Sequence, residues 1–320
     1  MAVPGVSEGI TASTGGAALP GSLVALATSF DPQDLPATDE ALRIALIQMG
    51  FNVSPVIWIS HTADWAVFSA VIIRSCWNYH VHPLEFLNWI GKLERLGVKV
   101  LNSPHLIRWN INKTYLQDLS AKGVPIPDTV WVQSGETVNI GKICSSTKWR
   151  SAIVKPIVSA RSYHTERTTI GIVRGPMMIQ EYLSGIEIGG EVSLIYFGGR
   201  FSHAVRKRPR FPDFRVVPQF GGVTESARPS PKLLAFGEAT IALLPHPAVF
   251  ARVDLVEQDR DSIVLMELEV IEPELYLSFA PGSESTLAQA VSRSMLPARF
   301  FRDTIRTSSN RISETNHRNP

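Results

Sequence analysis

The chain has 320 residues, of which 44% are hydrophobic and 19% charged, and a formal net charge of +2. These values describe a globular protein large enough for two domains or one multi-lobed unit, and the charge is too small to point to a nucleic-acid binder. No apolar run reaches the length of a membrane span, so no integral membrane protein is expected.

Residues 1–21, MAVPGVSEGITASTGGAALPG, lack a basic start and an apolar block, and read as a disordered leader, not a secretory signal. Strands and helices then alternate. A strand is predicted at 23–28, a helix (DEALRIALIQM) at 39–49 stopped by Gly50, and strands at 53–59 and 67–73. An amphipathic helix at 84–96 ends at Gly97, before a strand at 98–101. This order predicts a parallel, doubly wound sheet. A second block begins with a helix at 112–121 and VPIPDTVWV leading into a strand. Strands at 152–154 and 177–180 flank a polar loop, and EVSLIYFGGRFSHAV reads as a hairpin turning at Gly198 and Gly199. A helix at 233–244, strands at 250–256 and 263–271 around a turn at 257–261, and a helix at 285–296 complete it. Strands outnumber helices here, which predicts an α+β region on antiparallel sheet. The polar tail, 301–320, reads as disordered. Cys76 and Cys144 lack metal-like spacing and read as reduced thiols of a cytoplasmic protein.

Three local patterns carry little. GVSEG at 5–9 has the spacing of a nucleophile elbow but no preceding strand. GETVNIGKI at 135–143 resembles a phosphate loop with one residue too many and Ile143 in place of the hydroxyl residue. His80 and His82 have no accompanying ligand set, and a structural or surface role fits them better.

The segment IVLMELEVIEPEL, 263–275, is more informative. Side chains alternate along a strand, so Glu267 and Glu269 share one face while Met266, Leu268 and Val270 take the other. Two like charges roughly 7 Å apart repel by about 2 kcal/mol at an effective dielectric near 20. Upstream, FARVDLV places Arg252 and Asp254 on one face of the preceding strand. If the two strands form a hairpin, Asp254 lies opposite the glutamates. Three carboxylates on one sheet face make a poor core but a good seat for hard divalent cations such as Mg²⁺, which would also remove the repulsion. The competing reading is a solvated sheet face, and Arg252 with Asp254 weighs against it.

A polyphosphate on Mg²⁺ needs cationic and backbone N–H donors on its other side. Lys155 ends an apolar strand before PIVSARSYHT, whose small and polar residues can turn N–H groups towards phosphate. Lys113 opens a helix in WNINKTYL, and HAVRKRPRFPDFR supplies Arg206, Lys207, Arg208, Arg210 and Arg215. The alternative for that run is a solvated or nucleic-acid-facing patch, but its sparse aromatics and isolated charge fit the latter poorly.

This order of motifs resembles the ATP-grasp superfamily: a lysine before a helix, a lysine before a small-residue loop (159–165), a strand into a hinge (MMIQEYL), an acidic residue, a basic segment, then R-x-D with E-x-E thirteen residues on. The resemblance spans about residues 23–296. RSCWNYH, LNSPHLIRWNINKTYL, FSHAVRK, DFRV with its following GG, and MELEVIEPEL look like the glutathione-synthetase-like branch, and within it the ligase type of cycloserine biosynthesis.

The resemblance implies an ATP-grasp fold of α/β and α+β parts: a pre-ATP-grasp doubly wound domain at 22–110, a small lobe at 111–183 and a large lobe at 184–300. It implies an ATP-dependent carboxylate–amine ligase, working through an acyl phosphate and releasing ADP and phosphate. Lys113 and Lys155 would contact the nucleotide phosphates with the loop carrying Ser159 and Ser162. Gln180 would meet the adenine edge, with the backbone of Glu181 and Leu183. Glu191, or else Glu187, would hold the ribose hydroxyls. Asp254, Glu267 and Glu269 would bind two Mg²⁺, with Mn²⁺ as a substitute. Lys207, Arg215 and Arg252 would hold the transferring phosphate and the substrate carboxylate. The partners implied are small, amino-acid-like carboxylates and amines, without nucleic acid or membrane, and relatives of this type often form homo-oligomers. Glu269 stands where many members carry asparagine, Asn78 where aspartate is expected, and Arg161 in a loop usually lined with glycine or alanine. Those departures keep open an alternative, a non-catalytic nucleotide-binding relative.

Overall fold

The computed structural model describes residues 21–31, 33–258 and 262–296. The expected leader apart from Gly21, the expected tail, GVSEG and the centre of the 257–261 turn lie outside the described residues.

The first layer is β1 (Leu23–Thr28), α1 (Ala37–Gln48), β2 (Asn52–Ile57), β3 (Ala70–Ser75), α2 (Pro83–Arg95) and β4 (Lys99–Leu101). The strands form a parallel sheet in the order β2-β1-β3-β4. It is buried on both faces, which is why β1 and β3 read as continuous apolar runs. Val24 and Leu26 join one cluster with Leu42 and Leu46 of α1, while Ala25 and Ala27 join Trp58, Trp65, Phe86 and Ile90 on the other side. The strand expected at 67–73 starts at Ala70, because Trp65–Val67 forms a 3₁₀ turn capped by the Asp64 carboxylate.

A short helix not anticipated from the sequence, α3 (Pro104–Asn110), follows, with Ser103 as its N-cap and proline at its start. The helix expected from 112 begins only at Tyr115 (α4, Tyr115–Ala121), because the Asn112 side chain accepts the Thr114 N–H and makes a local turn instead.

The next elements are β5 (Thr129–Val132), β6 (Thr137–Asn139), α5 (Ile140–Thr147), β7 (Ala152–Pro156), β8 (Glu166–Thr168), β9 (Ile172–Arg174) and β10 (Met177–Glu181). Their main sheet is antiparallel, β5-β10-β7-β8, and β6 pairs with β9 beside it.

After α6 (Gly185–Gly189) come β11 (Glu191–Phe197), β12 (Arg200–Arg208), β13 (Val223–Ala227), α7 (Pro231–Ala242), β14 (Phe250–Glu257), β15 (Ile263–Glu269) and α8 (Ser283–Met295). The antiparallel sheet runs β13-β12-β11-β14-β15, and the β11–β12 hairpin turns at Gly198 and Gly199, both at positive φ. The outer edge of β15 is covered without a further strand. Asn110 pairs with Leu268 O and Val270 N, Tyr115 Oη accepts the Leu268 N–H, and Leu265 N donates to Pro125 O. Helix α8 crosses back to the first layer, where Leu287 and Val291 pack in the cluster of Val24 and Leu42.

Candidate active site

The hairpin β14–β15 brings the acidic residues together. Asp254 pairs in register with Glu267, and Arg252 with Glu269. One carboxylate oxygen from each of Asp254, Glu267 and Glu269 lies within 4.8 Å of the others. The alternation expected along the strand is interrupted: Asp254 faces Glu267, whereas Leu255 faces Leu265, so Met266 is an extra residue at a β-bulge. Leu265 and Leu268 both enter the apolar core, and Met266 lines the cavity instead of taking the opposite face.

Basic groups offset the triad charge. Lys113 pairs with Glu267, and Arg252 with Glu269. Arg252 also reaches Asp254 at 3.0 Å, Lys207 reaches it at 3.3 Å, and Ser193 Oγ donates to it at 2.6 Å. Burial would raise the Asp254 pKa, but Arg252 and Lys207 outweigh it and hold the carboxyl at about 2. Glu267 is likewise held down despite burial by Lys113 and Lys155. Glu269 goes the other way: burial, reinforced by Glu267 and Asp254 and only partly opposed by Arg252, pushes it up to about 7.

The other residues line the same cavity from several elements. Lys155, at the end of β7, is pushed down to about 8 by burial and by Lys113, with Glu267 and Glu191 opposing. Lys113 sits in the turn before α4, fixed by its N–H on Ile157 O. Gln180, Glu181 and Leu183 contribute from β10 and the segment after it. The Gln180 amide already donates to Thr129 Oγ1 at 3.2 Å, on the neighbouring strand β5. Glu181 is raised by burial and Asp128. Leu183 packs with Ile186, Val216 and Met266 into one apolar wall.

Of the two glutamates weighed for the ribose, Glu191 lines the cavity, paired with Lys207. Burial raises its pKa, with Lys207 opposing. Glu187 does not line it. It lies on the exposed side of α6, where Arg167 and the Tyr182 hydroxyl donate to its carboxylate. The basic run divides similarly. Lys207 faces inward, whereas its strand neighbours Arg206 and Arg208 point away, to Gly189 O and to Glu257 and Glu225. Arg210 does not line the cavity, and Arg215 does, bound to Asp213 and lying over the Phe220 ring at 3.2 Å.

In the loop between β7 and β8, Ser159 Oγ donates to Pro156 O, and Ser159 and Ser162 line the cavity. Arg161, Ser162 and His164 all hold positive φ, a conformation uncommon for residues with a β-carbon. Arg161 stacks over Trp77 of the first layer at 4.3 Å. His80 packs edge-on to Tyr163, and neither it nor His82 joins a metal-type cluster among the described residues. The phosphate-loop look-alike forms β6 and the start of α5, away from the cavity.

Several residues of the site were not anticipated. Ser193 does not itself line the cavity but donates to Asp254, and it could have been found, since it alternates with Glu191 on β11 and pairs with Asp254. Tyr276 and Glu272 arrive from turns and strand ends, where no periodicity marks them, whereas Trp77 and Tyr79 belong to the RSCWNYH segment that carries part of the resemblance.

A parallel α/β layer, a small antiparallel sheet with a loop over the cavity, and a larger sheet carrying an acidic triad are the architecture of the ATP-grasp ligases. The chain is an ATP-dependent, amide-forming ligase with this fold. Residues 24–102 match the family model described as D-cycloserine synthetase DcsG, N-terminal domain. Cycloserine biosynthesis protein DcsG of Streptomyces lavendulae is 28% identical over 287 residues, covering 82% of this chain and 94% of that protein. The crystal structure of D-cycloserine synthetase DcsG superposes with a TM-score of 0.74 at 26% identity, over 85% of this chain and 99% of that one. D-alanine–D-alanine ligase from Bacillus anthracis has the same fold, with a TM-score of 0.61 at 15% identity, over 86% of this chain and 97% of that one.

Proposed function

We propose that the chain joins a small, amino-acid-like carboxylate to an amine through an acyl phosphate, with Asp254, Glu267 and Glu269 seating two Mg²⁺. The supporting observation is the convergence of three carboxylate oxygens within 4.8 Å, flanked by Lys113, Lys155 and Lys207. The donor set fits: oxygen ligands only, on two paired strands, as hard cations require. The metal would supply charge neutralisation on the phosphates.

A carboxylate is a poor acyl donor until its oxygen is phosphorylated, and that transfer depends on positioning more than on a protein nucleophile. Lys113 and Lys155 hold the phosphates from the side of the small sheet. Gln180, Glu181 and Leu183 bracket the base against Met266, and Glu191 receives the ribose. Ser159 and Ser162 close the loop over the phosphates and exclude water from the activated carboxyl. Lys207 and Arg215 hold the transferring phosphate and the substrate carboxylate, while Arg252 stabilises the oxyanion formed when the amine attacks. The three positive-φ residues give the loop a defined shape, and Arg161, in a loop usually lined with glycine or alanine, anchors it to Trp77. The setting is a protein of the cytoplasm, acting on free small molecules.

Phosphate release from Mg-ATP over pairs of amino acids and small amines tests this reading. Glu267→Gln should leave the fold intact, by circular dichroism and melting temperature, and reduce amine-dependent ADP release by at least roughly a hundredfold. Undiminished turnover in that variant overturns the proposal.

A further inference from the structure

Beyond β15 the chain enters the cavity once more, at Glu272. This residue is 8% exposed and lines the cavity with Glu269 and Tyr276, yet its Oε2 has no hydrogen-bond partner. A buried carboxyl oxygen left unsatisfied is unfavourable, so one retained at a cavity wall calls for a ligand.

Arg74, a cation that acts on this carboxyl, does not satisfy it. Arg74 donates Nε to Asp39 and Nη2 to Pro273 O, each at 3.0 Å, and its own Nη1 is also unpartnered. The Arg74–Asp39 pair therefore fixes the backbone beside Glu272 without closing off the carboxyl. Burial, then the Glu269 charge, raises the Glu272 pKa well above the carboxylate range, with Arg74 opposing. An arriving N–H donor or cation supplies the missing compensation.

The cavity has two apolar walls. One is Leu183, Ile186, Val216 and Met266; the other includes Tyr79, Ala160 and Ile271. Glu272 follows Ile271 and so belongs to the second wall, apart from the residues that bracket the base.

We propose that Glu272 receives the nitrogen of the amine substrate as its ammonium, takes up the proton that the nitrogen must lose before it attacks, and thereby selects an amine over its hydroxyl counterpart. This rests on the ligase reading above and names the substrate class of its second half-reaction. A site built to accept N–H donors discriminates strongly against an analogue that offers fewer of them.

The test uses the full-length protein with Mg²⁺ and a non-hydrolysable ATP analogue. Its melting temperature is followed while adding the common amino acids in both configurations and the matching 2-hydroxy acids. At least one amino acid should stabilise the wild type, with its hydroxy acid at least tenfold weaker. Glu272→Gln should keep the nucleotide-dependent shift and raise the half-saturating amino-acid concentration at least tenfold, with Glu272→Asp recovering part of the loss. Equal stabilisation by hydroxy acids, an unchanged amino-acid response in Glu272→Gln, or no amino-acid response in the wild type overturns the proposal while leaving nucleotide binding intact. Failure of the nucleotide itself to stabilise the wild type removes the ligase reading, and this proposal with it.

Discussion

In the proposed reaction Lys155 faces the nucleotide phosphates, so its charge and nucleotide binding would be linked. Burial and Lys113 lower its pKa from 10.5 to about 8, so near pH 8 a large share of the folded molecules carry it neutral. In the unfolded chain the group keeps its proton up to its ordinary range. Between about pH 8 and 10.5 the unfolded state therefore binds more protons, and this group's contribution to stability rises with pH across that window. Nucleotide binding has the opposite dependence, because a triphosphate favours the charged form. Apparent ATP affinity should fall roughly fivefold from pH 8 to pH 9, as protonation becomes part of binding. Calorimetry at pH 8 in buffers of differing ionisation enthalpy should show more proton uptake for the wild type than for Lys155→Arg. Identical proton uptake in the two proteins would contradict the assignment.

At the scale of elements, the entry to β11 depends on one glycine. Gly190 has φ of 75°, and a β-carbon there would meet Lys207 O at 2.5 Å. Gly190→Ala should destabilise the fold by about 1–3 kcal/mol, read as a lowered melting temperature. It should also weaken nucleotide binding, since the displaced backbone carries Lys207 and the adjacent residue is Glu191. The same segment marks the limit of what sequence patterns reveal. The triad was legible because Asp254, Glu267 and Glu269 lie on strands with strong apolar alternation. The bulge at Met266 was not, because register is set by pairing with a distant strand and not by local composition. Glu187 and Glu191 flank the same glycine pair. Only the short helix α6, unrecognised in advance, turns the first outward and leaves the second facing the cavity. Strand β13 passed unnoticed because VTESA is short, largely exposed and has no continuous apolar face.

Across the whole molecule, the parallel layer and the large sheet are joined by polar groups buried at their junction. Asn102, just past β4, donates to Phe250 O and Val270 O at 2.8 and 2.7 Å and accepts the Val249 N–H at 2.5 Å. Asn102→Ala would strand three buried backbone groups, so a loss of roughly 3–5 kcal/mol is expected by denaturant unfolding, far above a typical substitution. A loss below about 1 kcal/mol would show that the junction relaxes around the gap. Helix α8 makes the same connection with apolar contacts, returning to cover the cluster built on β1 and α1. During synthesis on the ribosome, Leu42 and Leu46 would thus wait for residues more than two hundred positions later before their enclosure is finished. Residues 23–101 should then stay sticky and chaperone-dependent until α8 has emerged.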